Sequence, residues 1–253
     1  MSFDLLVTIL VAGVAAGTTL LIAAVGEIIA ERSGVLNLGV EGMMLVGAVT
    51  GFLANRSLGS LWLGALVAVL AGSLLGLLHA ALVVGLRTNQ VVTGLALVIF
   101  GTGLSGYLGD PVVGVAPPRI FERLAIPGLS SIPALGRVLF DQNALVYLSF
   151  ALTIGVWWFL FRTRPGLKLR SVGESPETAD AVGIPVAGTR VAAVMAGGAF
   201  AGLAGAYLSL AQAPSWNPGL TQGRGWIAIA LVIFATWSPL RAAAGAYLFG
   251  CVE

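Results

Sequence analysis

Leu5-Leu6-Val7-Thr8-Ile9-Leu10-Val11-Ala12-Gly13-Val14-Ala15-Ala16-Gly17-Thr18-Thr19-Leu20-Leu21-Ile22-Ala23-Ala24-Val25 carries no charge, and its reading decides the fold. A bilayer core about 30 Å thick is crossed by about 20 apolar helical residues. This run is that long. It is too long for the apolar region of a signal peptide, about 7–15 residues, and Asp4 stands where such a peptide is basic. It therefore reads as a retained transmembrane helix. Similar runs follow at 35–54, 61–84, 91–108, 144–161 and 190–212, with two shorter ones at 226–237 and 240–253. The expectation is an all-α, polytopic transmembrane bundle of about eight spans, forming one domain over 1–253. The last run ends without a basic stop, so further helices are expected beyond it.

Composition agrees. The chain is 58% hydrophobic and only 9% charged, with a mean hydropathy of +0.98. A soluble domain carries about 25% charged residues to cover its surface. The net charge of +2 reflects a small arginine excess that belongs to topology and gives no reason to expect nucleic acid. One cysteine, Cys251, excludes an internal disulfide and makes a thiolate metal site improbable. The single histidine, His79, lies in the apolar run 74–86 and reads as a packed, hydrogen-bonded helix residue. The 35 glycines fall inside the spans as well as between them. Gly72/Gly76, Gly198/Gly202 and Ala201/Gly205 have the small-xxx-small spacing that lets helix backbones approach in lipid. Gly101-Thr102-Gly103-Leu104-Ser105-Gly106 matches a dinucleotide fingerprint, but it lies within a span and not between a strand and a helix.

Two polar stretches lie outside the spans. Residues 109–143 contain Asp110, Pro111, Pro117, Pro118, Pro127 and Pro133. Residues 162–189 begin with Arg162, Arg164, Lys168 and Arg170. With 162–189 cytoplasmic, alternation puts eight of the 13 basic residues on that side and five, Arg56, Arg119, Arg123, Arg137 and Arg224, on the other. The positive-inside bias then places the N-terminus and the 109–143 loop outside. Ala96-Leu97-Val98-Ile99-Phe100-x-Thr102 recurs as Ala230-Leu231-Val232-Ile233-Phe234-x-Thr236, in opposite directions under this topology, as two inverted halves would have it.

Three segments carry candidate mechanism. Gly173 to Pro185 reads as a short capped helix: Ser175 as N-cap, Pro176 at the first position, Glu177 at the positive pole, Gly183 at a left-handed end. Two turns cannot persist alone in water, so this helix needs something to dock against. Ala179 and Val182, three apart, are expected to share the docking face, with Glu174, Glu177 and Asp180 around it. The second segment, 26–44, holds Glu27, Glu31, Arg32, Asn37 and Glu41. Asn37 and Glu41, four apart, would share a helix face; Glu41 either pairs with Arg32 or lines a polar path. The third, Trp216-Asn217-Pro218-Gly219-Leu220-Thr221-Gln222-Gly223-Arg224-Gly225-Trp226, is a polar break between apolar runs. It reads either as an ordinary loop or as backbone lining a cavity.

The run from Gly26-Glu27 through Glu31-Arg32-Ser33-Gly34-Val35-Leu36-Asn37-Leu38-Gly39-Val40-Glu41-Gly42-Met43-Met44 closely resembles the signature of ABC-importer permeases of the nucleoside and simple-sugar class, relatives of the branched-chain amino acid permeases. Asn89-Gln90-Val91-Val92-Thr93-Gly94, the 170–184 segment, and Gly223-Arg224-Gly225-Trp226-Ile227-Ala228 with Trp237-Ser238-Pro239 resemble further blocks of that family, in order. Ala96-Leu97-Val98-Ile99 departs from it by lacking an asparagine. The resemblance implies a multi-pass subunit of a bacterial plasma membrane in which 174–183 is the coupling helix. It also implies a translocation path including Asn37, Glu41, Asn89, Gln90, Trp216 and Asn217. The implied partners are ABC ATPase subunits using ATP and Mg, a second permease chain, an extracytoplasmic solute-binding protein and a small-molecule solute. The chain itself would bind no cofactor or metal. The sequence has no G-x-x-x-x-G-K-[ST] phosphate loop, so hydrolysis falls to a separate subunit. A self-sufficient secondary transporter or channel would instead use Glu41 or His79 for proton coupling and would not need the docking helix. Nucleosides are the first expected solute, then simple sugars, then branched-chain amino acids.

Overall fold

In the computed structural model, residues 3–130, 132–213 and 215–252 are described, and they are mostly helical. The Ser131 position of the 109–143 loop lies outside them. The helices are α1 (Phe3–Arg32), α2 (Val40–Leu58), α3 (Leu61–Ala80), α4 (Gln90–Gly109), α5 (Leu135–Leu139), α6 (Ala144–Arg162), α7 (Arg164–Glu174), α8 (Pro176–Ala181), α9 (Val186–Tyr207), α10 (Arg224–Phe234) and α11 (Pro239–Gly250). Strands β1 (Arg123–Ala125) and β2 (Asp141–Asn143) pair antiparallel within the 109–143 loop, with Arg123 opposite Asn143 and its guanidinium 3.9 Å from the Asp141 carboxylate.

Five stretches are long and apolar enough to cross a membrane: Phe3–Arg32, Leu61–Gly85, Gln90–Val112, Ala144–Arg162 and Val186–Gln212. The other three expected spans differ for physical reasons. Helix α2 is walled in by α3, α4, α9 and α10, so it tolerates Glu41, Asn55 and Arg56 at its ends. Helices α10 and α11, with 11 and 12 residues, reach only about 17–18 Å at 1.5 Å per residue. They correspond to the runs at 226–237 and 240–253, which the sequence already marks as shorter than the others.

Glycine sets how closely the inner helices approach. A Cβ on Gly72 of α3 would lie 2.8 Å from the Gly202 backbone of α9, and one on Gly76 would lie 2.7 Å from the Val194 carbonyl. Backbone thus meets backbone along the expected small-xxx-small stripe, where dispersion replaces the hydrophobic drive that lipid does not supply. Gly101 of α4 meets Gly42 of α2 in the same way, so this glycine of the dinucleotide-like run is a packing residue, while Gly103 and Gly106 have open space beside them. Outward, α3 exposes Leu66, Leu70 and Leu74, and α4 exposes Val92, Ile99 and Phe100, the apolar coat of a helix facing hydrocarbon.

The two ends of the bundle have different chemistry. At one end lie Arg32, Arg162, Arg170 and Arg190, with α7 and α8: Arg190 Nε donates to the Ser33 carbonyl at 3.1 Å and Arg170 Nε to the Leu160 carbonyl at 3.0 Å. At the other end the 109–143 loop covers the bundle; Asn55 Nδ2 donates to the Arg119 carbonyl, and Phe121 N to the Leu210 carbonyl, both at 2.9 Å. These are called the arginine end and the proline end below.

Candidate functional site

The chain leaves α9 at the proline end and heads back along the length of α2. Trp216 is buried against Phe52, with ring centroids 6.0 Å apart, and its backbone pairs with Gly114 and Val115. By Thr221 the chain has reached Glu41, fourteen residues and about 21 Å further along α2 than Asn55. Segment 216–223 therefore descends to the depth of Glu41, with Trp216 and Thr221 buried and Asn217, Pro218, Gly219 and Gln222 exposed, and α10 begins at that depth.

Glu41 meets that beginning. Its Oε1 accepts from the Thr221 hydroxyl and from Gly223 N at 2.9 Å, and its Oε2 from Gly225 N at 2.7 Å. The first N–H groups of a helix lack intrahelical acceptors and carry partial positive charge. A carboxylate from α2 supplies both acceptor and countercharge, from 180 residues earlier in the chain. Gly225 is obligatory, because a Cβ there would lie 2.6 Å from Glu41 Oε2 and 2.7 Å from the Glu41 backbone. Of the two sequence readings, Glu41 is thus a structural partner, but not of Arg32. Arg32 donates instead, through Nε and Nη2, to the Trp237 carbonyl at 3.3 Å. Arg224, placed in an outer loop by alternation, lies in the first turn of α10 at the depth of Glu41.

Asn37 does not share a helix face with Glu41, because α2 starts only at Val40. The preceding loop is held by its own polar groups: Asn37 Oδ1 accepts from Gly39 N at 3.0 Å, and Asn37 N donates to Oε1 of the buried Glu27 at 2.9 Å. Gln90 Oε1 accepts from Leu36 N at 2.8 Å, and His79 Nε2 lies 3.2 Å from the Leu36 carbonyl. Asn89 is exposed and caps α4, its Oδ1 accepting from Val91 N and Val92 N. Trp216 lies in the core, and Asn217 is exposed with its Nδ2 on Ser215 Oγ. The six expected path residues therefore do not line one surface. Glu41 reaches the polar break; Asn37, Asn89 and Gln90 organise the arginine end.

At that end α7 and α8 form a short arm. Helix α8 ends as the sequence suggests: Gly183 adopts φ +77, Ile184 N donates to the Ala179 carbonyl and Gly183 N to the Asp180 carbonyl. Its start differs. Ser175 Oγ donates to Thr178 Oγ1 at 2.7 Å and caps no backbone N–H. The docking face differs too: Ala179 is 2% exposed, turned onto its own chain, whereas Val182 is 71% exposed. A six-residue helix ending at Ala181 leaves Val182 past the last turn, so the three-residue spacing no longer puts the two on one face. Glu174, Glu177, Asp180 and Gly183 are exposed and Pro176 half-buried. Beside α8 runs a groove of about 900 Å³ whose lining includes Arg87, Gln90, Pro176, Glu177, Asp180 and Arg190.

Sequence reasoning missed the partners that matter most here: Thr221 and Gly225 for Glu41, and Trp237 for Glu31 and Arg32. The spacing Gly223-x-Gly225 directly after Thr221, where an apolar run should start, was the available signal.

Among its relatives, a protein named as a putative glucose ABC transporter permease protein of Haloferax volcanii is 47% identical over 96% of this chain and 74% of its own length. A guanosine ABC transporter permease protein of Bacillus subtilis is 38% identical, and a nucleoside ABC transporter permease protein of Lactococcus lactis 35%, each over 92% of this chain and 77% of the relative. No solved structure matches the chain. The family model for branched-chain amino acid transport system / permease component matches residues 9–253, and the chain belongs to that family.

Proposed function

We propose that this ABC-importer permease carries an uncharged polar solute, a nucleoside first and a simple sugar second, past the break between segment 216–223 and α10. The observation that carries the choice is Glu41. A half-helix N-terminus inside a bundle attracts anionic groups. Here the carboxylate of Glu41 already occupies that pole and accepts from Gly223 and Gly225. An anionic solute would meet a neutralised site, while a neutral solute can use exposed carbonyls and amides. Relatives named for guanosine, nucleosides and glucose support the same choice.

Hydrolysis belongs to a separate ATPase subunit. Its docking surface is the arm α7–α8 with the adjoining groove, and it is met by Glu177, Asp180 and Val182 with Ala179 anchoring the helix from beneath. The arginine end is then cytoplasmic and the proline end faces a solute-binding protein, with the N-terminus outside, in the plasma membrane. The short α10 and the apolar outer face of α4 suit a path completed by a second permease chain.

The test is uptake by the complete transporter, co-expressed with its ATPase, second permease and binding protein, using labelled guanosine, uridine, glucose and leucine. ATP-dependent uptake of a nucleoside or glucose is expected. Uptake of leucine alone, as the family description would suggest, would overturn the reading.

A further inference from the structure

Helix α10 is suspended between two backbone irregularities. Gln222 and Gly223 precede it at φ +50 and +81; Thr236 and Trp237 follow it at φ +51 and +53. Left-handed backbone is unfavourable for residues with a Cβ, and consecutive non-glycine residues hold it only where the surroundings impose it. The first irregularity is gripped by Glu41, as described. The second is gripped by the last two residues of α1. Arg32 donates through two nitrogens to the Trp237 carbonyl, and the Trp237 indole N–H donates to Glu31 Oε2. One grip thus holds both the backbone and the side chain of a single strained residue.

The same Arg32 is seated directly on α7. A Cβ on Gly173 would overlap the Arg32 carbonyl and lie 3.1 Å from Gly34 N, so no flexible side chain separates the two backbones. The guanidinium of Arg32 lies over the Phe161 ring, 5.7 Å from its centroid, and that of Arg170 on α7 over the same ring at 5.2 Å. From α8 the contacts run without a gap: α8 to α7, Gly173 to Arg32, Arg32 to Trp237, Trp237 to α10. The alternative route through α9 leads into the glycine-packed interface with α3, where backbone meets backbone.

We propose that Arg32 is a positioning residue for coupling: it transmits displacement of the α7–α8 arm to the Trp237 hinge and so tilts α10 about its Glu41-held start. This rests on the reading of α7–α8 as the ATPase-docking arm. Both of Arg32's attachments are needed. Gly173 moves the α1 terminus by contact, and the donors of Arg32 carry that movement across to a backbone carbonyl. Coupling through a contiguous chain of contacts is physical only where the far element has two arrangements, and α10, short and hinged at both ends, is the element in the bundle built for that.

The experiment uses the complete transporter in proteoliposomes, in a Cys251→Ser background, comparing Arg32→Met, Arg32→Lys and Trp237→Phe with the parent. Arg32→Met keeps the apolar stem and removes donors and charge. ATPase association and hydrolysis are expected to stay within twofold, while solute moved per ATP falls at least tenfold. Arg32→Lys, which keeps the charge but has a single donor nitrogen in place of the guanidinium fork, should recover part of the loss, and Trp237→Phe should show an intermediate fall. In Gln222→Cys, thiol labelling should change on vanadate trapping in the parent, and Arg32→Met should abolish the change. Unchanged transport per ATP in Arg32→Met overturns the proposal, as does a proportional loss of hydrolysis, association and transport. Should Arg32→Met fail to fold, full coupling and nucleotide-dependent labelling in both Arg32→Lys and Trp237→Phe overturn it. Val182→Asp separates the underlying reading: if the ATPase still co-purifies, the docking assignment fails whatever Arg32 does.

Discussion

Replacing Glu41 by glutamine changes one atom and should release the start of α10. The carboxylate accepts three bonds, two of them from backbone N–H groups that have no acceptor within their own helix. Glutamine has one acceptor oxygen. If it serves Thr221 and Gly223, the amide NH₂ confronts Gly225 N–H, two donors face to face in a buried site. Leaving a buried N–H unpaired costs about 2 kcal/mol. Losing the negative charge at a helix N-terminus costs about 1 kcal/mol more. Together, about 3 kcal/mol corresponds to about a 100-fold change in the local opening equilibrium at about 1.4 kcal/mol per decade. Hydrogen–deuterium exchange reads that equilibrium directly. Amides 223–226 should lose about 100-fold protection, while α9, which shares no bond with Glu41, keeps its own. A folded Glu41→Gln protein with protection at Gly223 and Gly225 unchanged within threefold would refute the cap. So would a loss spread evenly over the bundle, since that would mean Glu41 supports the whole fold.

Gly72→Leu should prevent close approach of α3 and α9, since the first added carbon already falls 2.8 Å from the Gly202 backbone; expected is loss of a monodisperse peak in detergent. In a Cys251→Ser background, Thr178→Cys should resist an impermeant thiol reagent in intact cells and Glu122→Cys should react, both sites being exposed at opposite ends; the reverse pattern overturns the orientation. The purified permease without partners should show no vanadate-sensitive ATP hydrolysis, measured by phosphate release.

Periodicity plays no part in why this chain is readable as a membrane protein; the length of uncharged runs does. Runs at 5–25, 61–84, 91–108, 144–161 and 190–212 became membrane-length helices because in hydrocarbon every backbone group must be paired within its own segment. That constraint is local, so the sequence determines it. The glycine stripes were local as well, and Gly72 and Gly198 meet as their spacing suggests. Gly183 closes α8 because a left-handed residue is needed there and glycine provides it.

What the sequence could not determine is which long-range partner each polar group takes. Glu41 and Arg32 are nine residues apart and of opposite charge, yet Glu41 bonds Thr221, Gly223 and Gly225 while Arg32 bonds Trp237. Inside an apolar bundle the strongest demand for an acceptor comes from the unpaired N–H groups of a helix that starts there, and for a donor from a carbonyl left behind where one ends. Those demands exist only once α10 has been placed. Likewise the orientation of Ala179 followed from α8 stopping at Ala181 and resting on its own chain, and not from spacing. Local chemistry wrote the helices into the sequence; the meeting of their ends, 180–206 residues apart in the chain, was decided by tertiary packing alone, because only packing creates the unpaired groups that those side chains satisfy.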